Sequence, residues 1–116
     1  MGLKSILMVS AIGLATIMIA PVADAGGKLT GAEIKAELIG KTWSYRGKST
    51  GTTVYGANGT VSYTDKKWGS DSGTWWIKGN KWCRKYKKNK KVQCLTYTRL
   101  GRSKYKTNSG YTMTPK

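Results

Sequence analysis

The stretch TTVYGANGTVSYT, residues 52–64, contains two runs of alternating small polar and larger apolar side chains on either side of one turn. The turn is Ala57-Asn58-Gly59, and Asn-Gly between alternating runs is a strong hairpin signal because these residues tolerate positive φ angles. Runs rich in Thr, Val and Tyr with glycine at their ends are typical of strands. The stretch therefore predicts an antiparallel β-hairpin.

The same pattern extends through the rest of the chain after Lys41. Trp43 and Tyr45 share one face of KTWSYRG, and turn residues separate the later runs GTWWIK, KWCRKY, VQCLTYTR, SKYKT and GYTMT. About eight short strands joined by short turns form a meander. A meander of this length closes into a barrel or folds over as a curled sheet. We therefore predict a mainly β fold, a small antiparallel up-and-down meander with one of these two shapes.

One helix is predicted ahead of the first strand. Thr30 and Glu33 have the spacing of a capping box, in which each side chain satisfies a free backbone N–H of the other residue. Ile34, Leu38 and Ile39 then recur at helical spacing, and Gly40 is a residue that commonly ends a helix. These signals predict a short N-terminal helix over residues 31–39.

Residues 1–25 have the pattern of a secretory signal peptide. Lys4 precedes an apolar run over residues 6–20, which is shorter than the roughly 20 residues of a membrane-spanning helix. Pro21 and the small residues of Ala23-Asp24-Ala25 follow, so we expect cleavage after Ala25. The prediction is a periplasmic or secreted protein with one small domain, residues 26–116, and no membrane span after processing.

The two cysteines predict one disulfide, as is usual in exported proteins. The midpoint between Cys83 and Cys94 falls between Lys88 and Asn89, inside the polar run KKNK, which suits a turn. The two cysteines therefore lie opposite each other in one hairpin, within reach of a disulfide. A reactive thiol pair is the alternative, but the C-x-x-C spacing that would favour it is absent.

The aromatic residues are unusual, because the chain has five Trp and seven Tyr but no Phe. They can fill the interior of a small barrel, or some of them can line a cup or an exposed stacking surface. Trp75 and Trp76 are neighbours, so a strand directs them to opposite faces. One of the two is therefore expected outside the core, unless the helix covers it.

These features together resemble the small exported calycin-like, or lipocalin-like, barrels of bacteria. The short helix is followed by G-x-x-W (Gly40 to Trp43), the meander, and G-x-W (Gly73 to Trp75) ahead of the disulfide-linked hairpin. The order LTGAEIKAELIGKTW, YGANGT, GTWWI and two cysteines is similar to one family of bacterial periplasmic proteins, over nearly all of residues 26–116. The resemblance implies a fold and a compartment, and it implies no activity.

The composition argues against an enzyme. The chain has no histidine, which removes Ser-His-Asp and Cys-His nucleophile systems and the usual zinc ligands. Glu33 and Glu37 lie four residues apart on the predicted helix, where we expect them to pair with lysines. Asp65 and Asp71 flank one loop, but a glycosidase pair needs a larger scaffold with a cleft. We therefore predict no catalytic residues, no metal site and no cofactor.

The charge of the chain is strongly positive and clustered. The formal net charge is +16, and it stays at +16 without residues 1–25 because Lys4 and Asp24 are lost together. We name the region with the highest density of positive charge, residues 78–91, the basic segment. Its candidate anion-binding residues are Lys78, Lys81, Arg84, Lys85, Lys87, Lys88, Lys90 and Lys91. Its candidate aromatic contacts are Trp76, Trp82 and Tyr86, and Arg99, Arg102, Lys104 and Lys106 are candidates to extend the surface.

These residues predict a basic binding protein whose partner is an anionic polymer or an anionic envelope surface. Lipopolysaccharide, envelope glycans and nucleic acid are the candidates, because basic residues interleaved with Trp and Tyr suit them. The disulfide would hold the basic hairpin in one shape against the repulsion of its own charges. Two alternatives are a module that binds or inhibits a protein, with an acidic protein as the partner, and a small-ligand cup lined by Trp43, Trp75 and Tyr97.

Overall fold

The computed structural model describes residues 27–116 as a mainly β fold with one short helix. The helix α1 comprises Gly31–Leu38. The strands are β1 (Lys41–Arg46), β2 (Thr50–Tyr55), β3 (Thr60–Asp65), β4 (Gly69–Lys78), β5 (Lys81–Tyr86), β6 (Gln93–Leu95), β7 (Tyr97–Gly101), β8 (Lys104–Thr107) and β9 (Thr112–Pro115). The predicted fold class is confirmed. The predicted signal peptide and the cut after Ala25 lie outside the described residues.

All nine strands belong to one antiparallel sheet that curls into a nearly closed barrel. The order is β6-β5-β4-β3-β2-β1-β9-β8-β7, so the first and last strands of the chain are neighbours. The two outer strands, β6 and β7, are consecutive in sequence and are joined through Thr96. The residues before the helix extend the sheet at β7, where the N–H of Leu29 donates to the carbonyl of Tyr97. Of the two predicted shapes, the protein therefore adopts the barrel.

The run VQCLTYTR, predicted as one strand, is divided into β6 and β7. The division falls at Thr96 because the pairing partner changes there from β5 to β8. Asn108 holds the junction, since its side-chain oxygen accepts from the N–H of Thr96 at 3.1 Å. We call the gap between the two outer strands, β6 and β7, the seam of the barrel. One continuous segment crosses this seam, and its two halves count as two strands. The structure therefore has nine strands where about eight were expected.

The disulfide and its register are confirmed. Cys83 on β5 lies directly opposite Cys94 on β6, with a Cα–Cα distance of 3.9 Å and the two sulfurs bonded. The turn is the loop of residues 87–92, which contains the predicted midpoint between Lys88 and Asn89.

The helix begins as predicted and covers one end of the barrel. Thr30 and Glu33 form the capping box, and Ile34 and Leu38 are fully buried. The indole N–H of Trp43 donates to the carbonyl of Leu38 at 3.0 Å, which ties the end of the helix to β1. The helix ends one residue earlier than predicted, at Leu38. We call the end of the barrel that α1 covers the closed end.

The helix glutamates do not pair with lysines, which corrects the expectation from the sequence. The Glu37 carboxylate accepts from the guanidinium of Arg99 and, at 2.6 Å, from the hydroxyl of Tyr105. Glu33 lies 3.5 Å from the same guanidinium. Arg99 is therefore buried in ion pairs at the closed end, and it does not extend the basic surface.

Five of the eleven buried core residues are aromatic side chains inside the barrel. Tyr55 stacks on Trp82 with 4.2 Å between ring centroids, and Trp43 meets Tyr105 edge to face at 5.5 Å. The full set of buried hydrophobic core residues is Leu29, Ile34, Leu38, Trp43, Tyr55, Val61, Trp82, Leu95, Tyr97, Tyr105 and Met113. Five of the twelve aromatic residues thus fill the core, and Tyr45, Trp75 and Tyr86 pack against it, in line with one of the two interpretations of the composition.

Candidate anion-binding sites

The end of the barrel opposite the helix, which we call the open end, carries most of the loop lysines. Four loops meet there, residues 47–49, 66–68, 87–92 and 108–111. The lysines of these loops are Lys48, Lys66, Lys67, Lys87, Lys88, Lys90 and Lys91, and all are exposed. Trp68 is also in this region, with 62% of its surface exposed and the Lys67 ammonium 4.9 Å from its ring centroid.

The basic segment is not one compact surface. Lys78 and Lys81 are paired beside the turn at the closed end, whereas the loop lysines follow the other end of β5. The six residue steps from Lys81 to Lys87 separate these groups by about 20 Å at the usual rise per residue. Lys85 is exposed on the outer face between them, and Arg84 is on the inner face. The structure therefore divides the predicted set into three outer groups and one interior residue.

The three predicted aromatic contacts have different environments. Trp76 is 38% exposed on the outer face, opposite Cys83, so it can contact a ligand. Tyr86 is half-buried where the β5 strand ends. Trp82 is fully buried, so the prediction that it contacts a ligand is wrong. Alternation along β5 directs Trp82 to the inner face, where it packs against Tyr55.

An open groove of about 840 Å³ runs along the outer face of β2 to β5, and we call it the outer groove. Its basic residues are Lys85, Lys87 and Lys90. Its hydroxyl-bearing residues are Thr60, Ser62, Ser72 and Thr74. No carboxylate of the described residues lines the groove, so none of these acidic side chains neutralises its lysines locally. Val54, which is exposed, adds apolar surface to the groove.

The loop of residues 87–92 is held in position by Asp71 as well as by the disulfide. The Asp71 carboxylate accepts from the backbone N–H groups of Lys88, at 3.0 Å, and Asn89, at 3.4 Å. Burial opposes ionisation of Asp71, but hydrogen bonds from Ser72, Lys88 and Asn89 and the charge of Lys88 lower its pKa below the usual value. The Lys88 ammonium donates to the carbonyl of Ser70 at 2.7 Å. Asp71 therefore fixes the shape of this loop.

The interior of the barrel opens at the open end as a cavity of about 520 Å³, which we call the cup. Its aromatic lining consists of Tyr45, Tyr55, Tyr63, Trp68, Tyr86 and Tyr111. Its charged lining consists of Lys48, Asp65, Asp71, Arg84 and Lys88. Burial raises the pKa of Tyr55 to about 12 and raises the pKa of Tyr63 and Tyr86 above the usual value. Tyr55, Tyr63 and Tyr86 are therefore neutral at physiological pH.

Asp65 joins three elements at the rim of the cup. Its carboxylate accepts from the hydroxyls of Tyr45, at 2.6 Å, and Ser49, at 2.7 Å, and from the backbone N–H groups of Lys67 and Trp68. Burial opposes ionisation, but these four hydrogen bonds outweigh it and lower the pKa of Asp65 to about 2. The same carboxylate and burial raise the pKa of Tyr45. The sequence showed Asp65 beside a loop but did not indicate these partners.

Arg84 is a cation inside the barrel that has no carboxylate partner among residues 27–116. Its guanidinium lies 5.7 Å from the ring centroid of Trp82 and 5.3 Å from that of Tyr86, and its Nη2 donates to Gln93 at 2.7 Å. Its Nε is buried and has no hydrogen-bond acceptor among residues 27–116. Both ion pairs in the same part of the chain belong to Arg99. Arg84 therefore retains hydrogen-bonding capacity and an unpaired positive charge.

The cup is not lined by the residues that the sequence suggested for it. Trp43 and Tyr97 are fully buried in the core instead. Trp75 is half-buried, and its indole N–H donates to the carbonyl of Gly56 at 2.8 Å. These residues belong to the core or to the closed end, because the helix fills that end of the barrel and leaves the cavity at the other.

Residues 27–116 contain neither a metal-ligand cluster nor a membrane-spanning helix. No three His, Cys, Asp or Glu side chains in this part of the chain are grouped as metal ligands. Its single helix is too short and too polar to span a membrane.

Comparisons with protein-family models, with curated proteins and with solved structures found no match. The resemblance to the calycin-like barrels therefore stays a prediction that rests on short motifs.

Proposed function

We propose that this protein binds an anionic polymer in the outer groove and on the adjoining loop of residues 87–92. The observation that carries the proposal is the lining of the groove, in which three lysines and four hydroxyl side chains occur without a carboxylate. Lipopolysaccharide, an envelope glycan and nucleic acid are the candidate polymers. The predicted export would give the protein access to such polymers outside the cytoplasm.

The groove suits a repeating anion better than a single one. Lys85, Lys87 and Lys90 present separate cationic groups along an open surface, so successive phosphate or sulfate groups could each contact one. Each such contact releases counterions, and this release is the main source of affinity in polyanion binding. The side-chain hydroxyls of Ser62, Ser72 and other residues can donate hydrogen bonds to the same oxygens.

One exposed aromatic side chain is positioned to support this binding. Trp76 is exposed on the neighbouring outer face, whereas the ring of Tyr86 is on the inner face with Arg84. Exposed aromatic rings stack on bases or on sugar faces. The disulfide and Asp71 hold the loop before any partner binds, and preorganisation of this kind reduces the entropy lost on association.

The experiment compares two triple variants with the parent protein. The groove variant carries Lys85→Gln, Lys87→Gln and Lys90→Gln, and the control carries Lys28→Gln, Lys35→Gln and Lys104→Gln, all of which are exposed and outside the groove. Each of the two variants loses three positive charges. Binding to heparin, lipopolysaccharide and duplex DNA is measured at several salt concentrations. We expect the groove variant to bind more weakly and to lose about one unit of salt slope per missing lysine contact.

The control determines whether position or total charge matters. Equal losses in the two variants would show that net charge alone drives binding and that the groove is not a site. If the parent binds none of the three polymers even at low salt, polyanion binding is refuted, and a protein-binding module becomes the better hypothesis. Folding should survive in both variants, because the substituted side chains are exposed and their removal reduces repulsion.

A further inference from the structure

The interior of the barrel contains a feature that polymer binding does not use, namely Arg84 in the cup. A polymer on the outer surface cannot reach a guanidinium that lies between Trp82 and Tyr86 inside the barrel. We infer that the cup binds a small aromatic monocarboxylate, whose carboxylate pairs with Arg84 and whose ring packs among the tyrosines of the cup. This inference does not depend on the proposed polymer binding.

The unused hydrogen-bonding capacity of Arg84 favours binding of an anionic partner. Arg84 is half-buried but its Nε is fully buried, and a buried donor is costly unless an acceptor compensates it. Gln93 supplies one acceptor, and the Nε donor has none among the described residues. The two carboxylates that line the cup are already engaged, because Asp65 and Asp71 accept hydrogen bonds from the rim loops. A ligand carboxylate is the group whose planar geometry best matches a guanidinium.

The shape and lining of the cup indicate the rest of the ligand. A volume of about 520 Å³ is within the usual range for a small-molecule site, which is about 300 to 1,000 Å³. Tyr63 meets Tyr86 edge to face at 4.8 Å, and both line the cup beside Arg84. Aromatic side chains of this kind favour offset or edge contacts with another ring. A flat aromatic body is therefore better suited to the cup than a flexible chain.

The charges around Arg84 favour one negative charge over two. Asp65 and Asp71 line the same cavity, and the hydrogen bonds that they accept keep both ionised at neutral pH. A doubly charged phosphate would be repelled by these carboxylates, whereas a monocarboxylate needs only the charge of Arg84. Lys48 and Lys88 line the cup as well, and they favour entry of an anion.

The test uses 2-naphthoate as the probe, with 2-naphthamide and 2-naphthyl phosphate as the neutral and doubly charged comparisons. Isothermal titration is carried out on the parent, on Arg84→Gln and on Lys85→Gln, which removes the same charge from the next residue on the outer face. We expect Arg84→Gln to weaken 2-naphthoate binding by about tenfold or more, as for a lost charge-assisted hydrogen bond, and Lys85→Gln to change it by less than about twofold. The amide and the phosphate should bind the parent more weakly than the carboxylate.

A second measurement on the parent protein needs no variant and is valid if Arg84→Gln fails to fold. The indole N–H signals of the five tryptophans are followed by NMR as 2-naphthoate is added. Trp68 lines the cup and Trp82 contacts Arg84, so their signals should shift, whereas that of Trp76 on the outer face should not. No shift at Trp68 and Trp82 at millimolar probe, or equal losses of affinity in Arg84→Gln and Lys85→Gln, would overturn the inference.

The two proposals fail independently. The triple variant of the outer groove should retain its affinity for 2-naphthoate to within about threefold, since the cup keeps Arg84. Arg84→Gln should in turn retain heparin binding with the salt slope of the parent, because Arg84 does not line the groove. Absence of heparin binding in the parent, with naphthoate binding intact, would refute polymer binding alone, and loss of naphthoate binding in the groove variant would show that the outer surface holds both ligands.

Discussion

Substitution of Asp65 tests whether the hydrogen bonds of its carboxylate stabilise the rim of the cup. The carboxylate is 5% exposed, and it joins β3 to Tyr45 on β1, to Ser49 in the first open-end loop and to the backbone N–H groups of Lys67 and Trp68. The perturbation is Asp65→Asn, which keeps the shape of the side chain and removes its charge. Asp65→Ala removes all four acceptor positions.

The expected cost follows from the number and type of these hydrogen bonds. In Asp65→Asn one oxygen can still accept from the two backbone N–H groups, so the loss concerns the charge and the two bonds to the hydroxyls. We expect a decrease in unfolding free energy of about 1–3 kcal/mol, since hydrogen bonds to charged groups are worth roughly 1.5–3 kcal/mol each and the hydroxyls can reorient. Asp65→Ala should cost more, because it leaves four donors without their acceptor.

The assay is urea unfolding with the disulfide intact, measured between pH 7 and pH 2. The pKa of Asp65 is lowered to about 2 in the folded protein, below the usual value of 3.8. A lowered folded pKa contributes stability that is complete above the unfolded pKa and is lost as the pH falls through the folded value. The difference between the parent and Asp65→Asn should therefore be largest above about pH 5 and should shrink between about pH 4 and pH 2.

Two results would contradict this reasoning. A cost of Asp65→Asn that is the same at pH 2 as at pH 7 would show that the ionised carboxylate is not the source of the stability. The control is Ala57→Lys, which changes the net charge equally at an exposed turn position. If the control is as destabilising as Asp65→Asn, total charge explains the effect and the hydrogen bonds at Asp65 do not.

Three further outcomes are expected from the packing. Trp82→Ala should lower the unfolding free energy by about 3–5 kcal/mol as a fully buried aromatic, whereas Trp76→Ala should cost less than about 1 kcal/mol, and similar costs in urea unfolding would mean that the faces of β4 and β5 are assigned wrongly. Replacing Cys83 and Cys94 together by Ser should cost about 2–3 kcal/mol for so short a loop, and an intact mass that does not increase by two hydrogens on reduction would refute the bridge. Glu37→Gln should cost about 1–3 kcal/mol in thermal or urea unfolding, because Arg99 and Tyr105 lose a charged partner, and no change would contradict the ion pair as a link between helix and barrel.

Several elements could be read from the sequence because short-range interactions determine them. The capping box at Thr30 and Glu33 involves residues three apart, and the structure contains it. The turn at Ala57-Asn58-Gly59 is a local choice of backbone conformation, with Gly59 at φ 89°. The pairing of Cys83 with Cys94 follows from the length of one hairpin, so it was predicted in register.

The division of one predicted strand into β6 and β7 could not be read in this way. Residues 92–99 have the same alternating pattern on both sides of Thr96. The break exists because β5 and β8, the partners of the two halves, are distant in sequence and lie on opposite sides of the barrel seam. The local sequence contains no information on that separation.

The composition predicted a basic, aromatic-rich β protein with an anionic partner, and alternation by itself put Arg84 on the same face as Trp82 and Tyr86. Only the tertiary structure decided that this face is the inside of the barrel. The sequence of β5 does not show which of the strand's two faces is buried, because charged and apolar residues alike, namely lysines, a tryptophan and a cysteine, occur along it. Burial of Trp82 against Tyr55, which comes from a distant strand, selects the inner face and places Arg84 in the cup with it, while Lys85 stays outside.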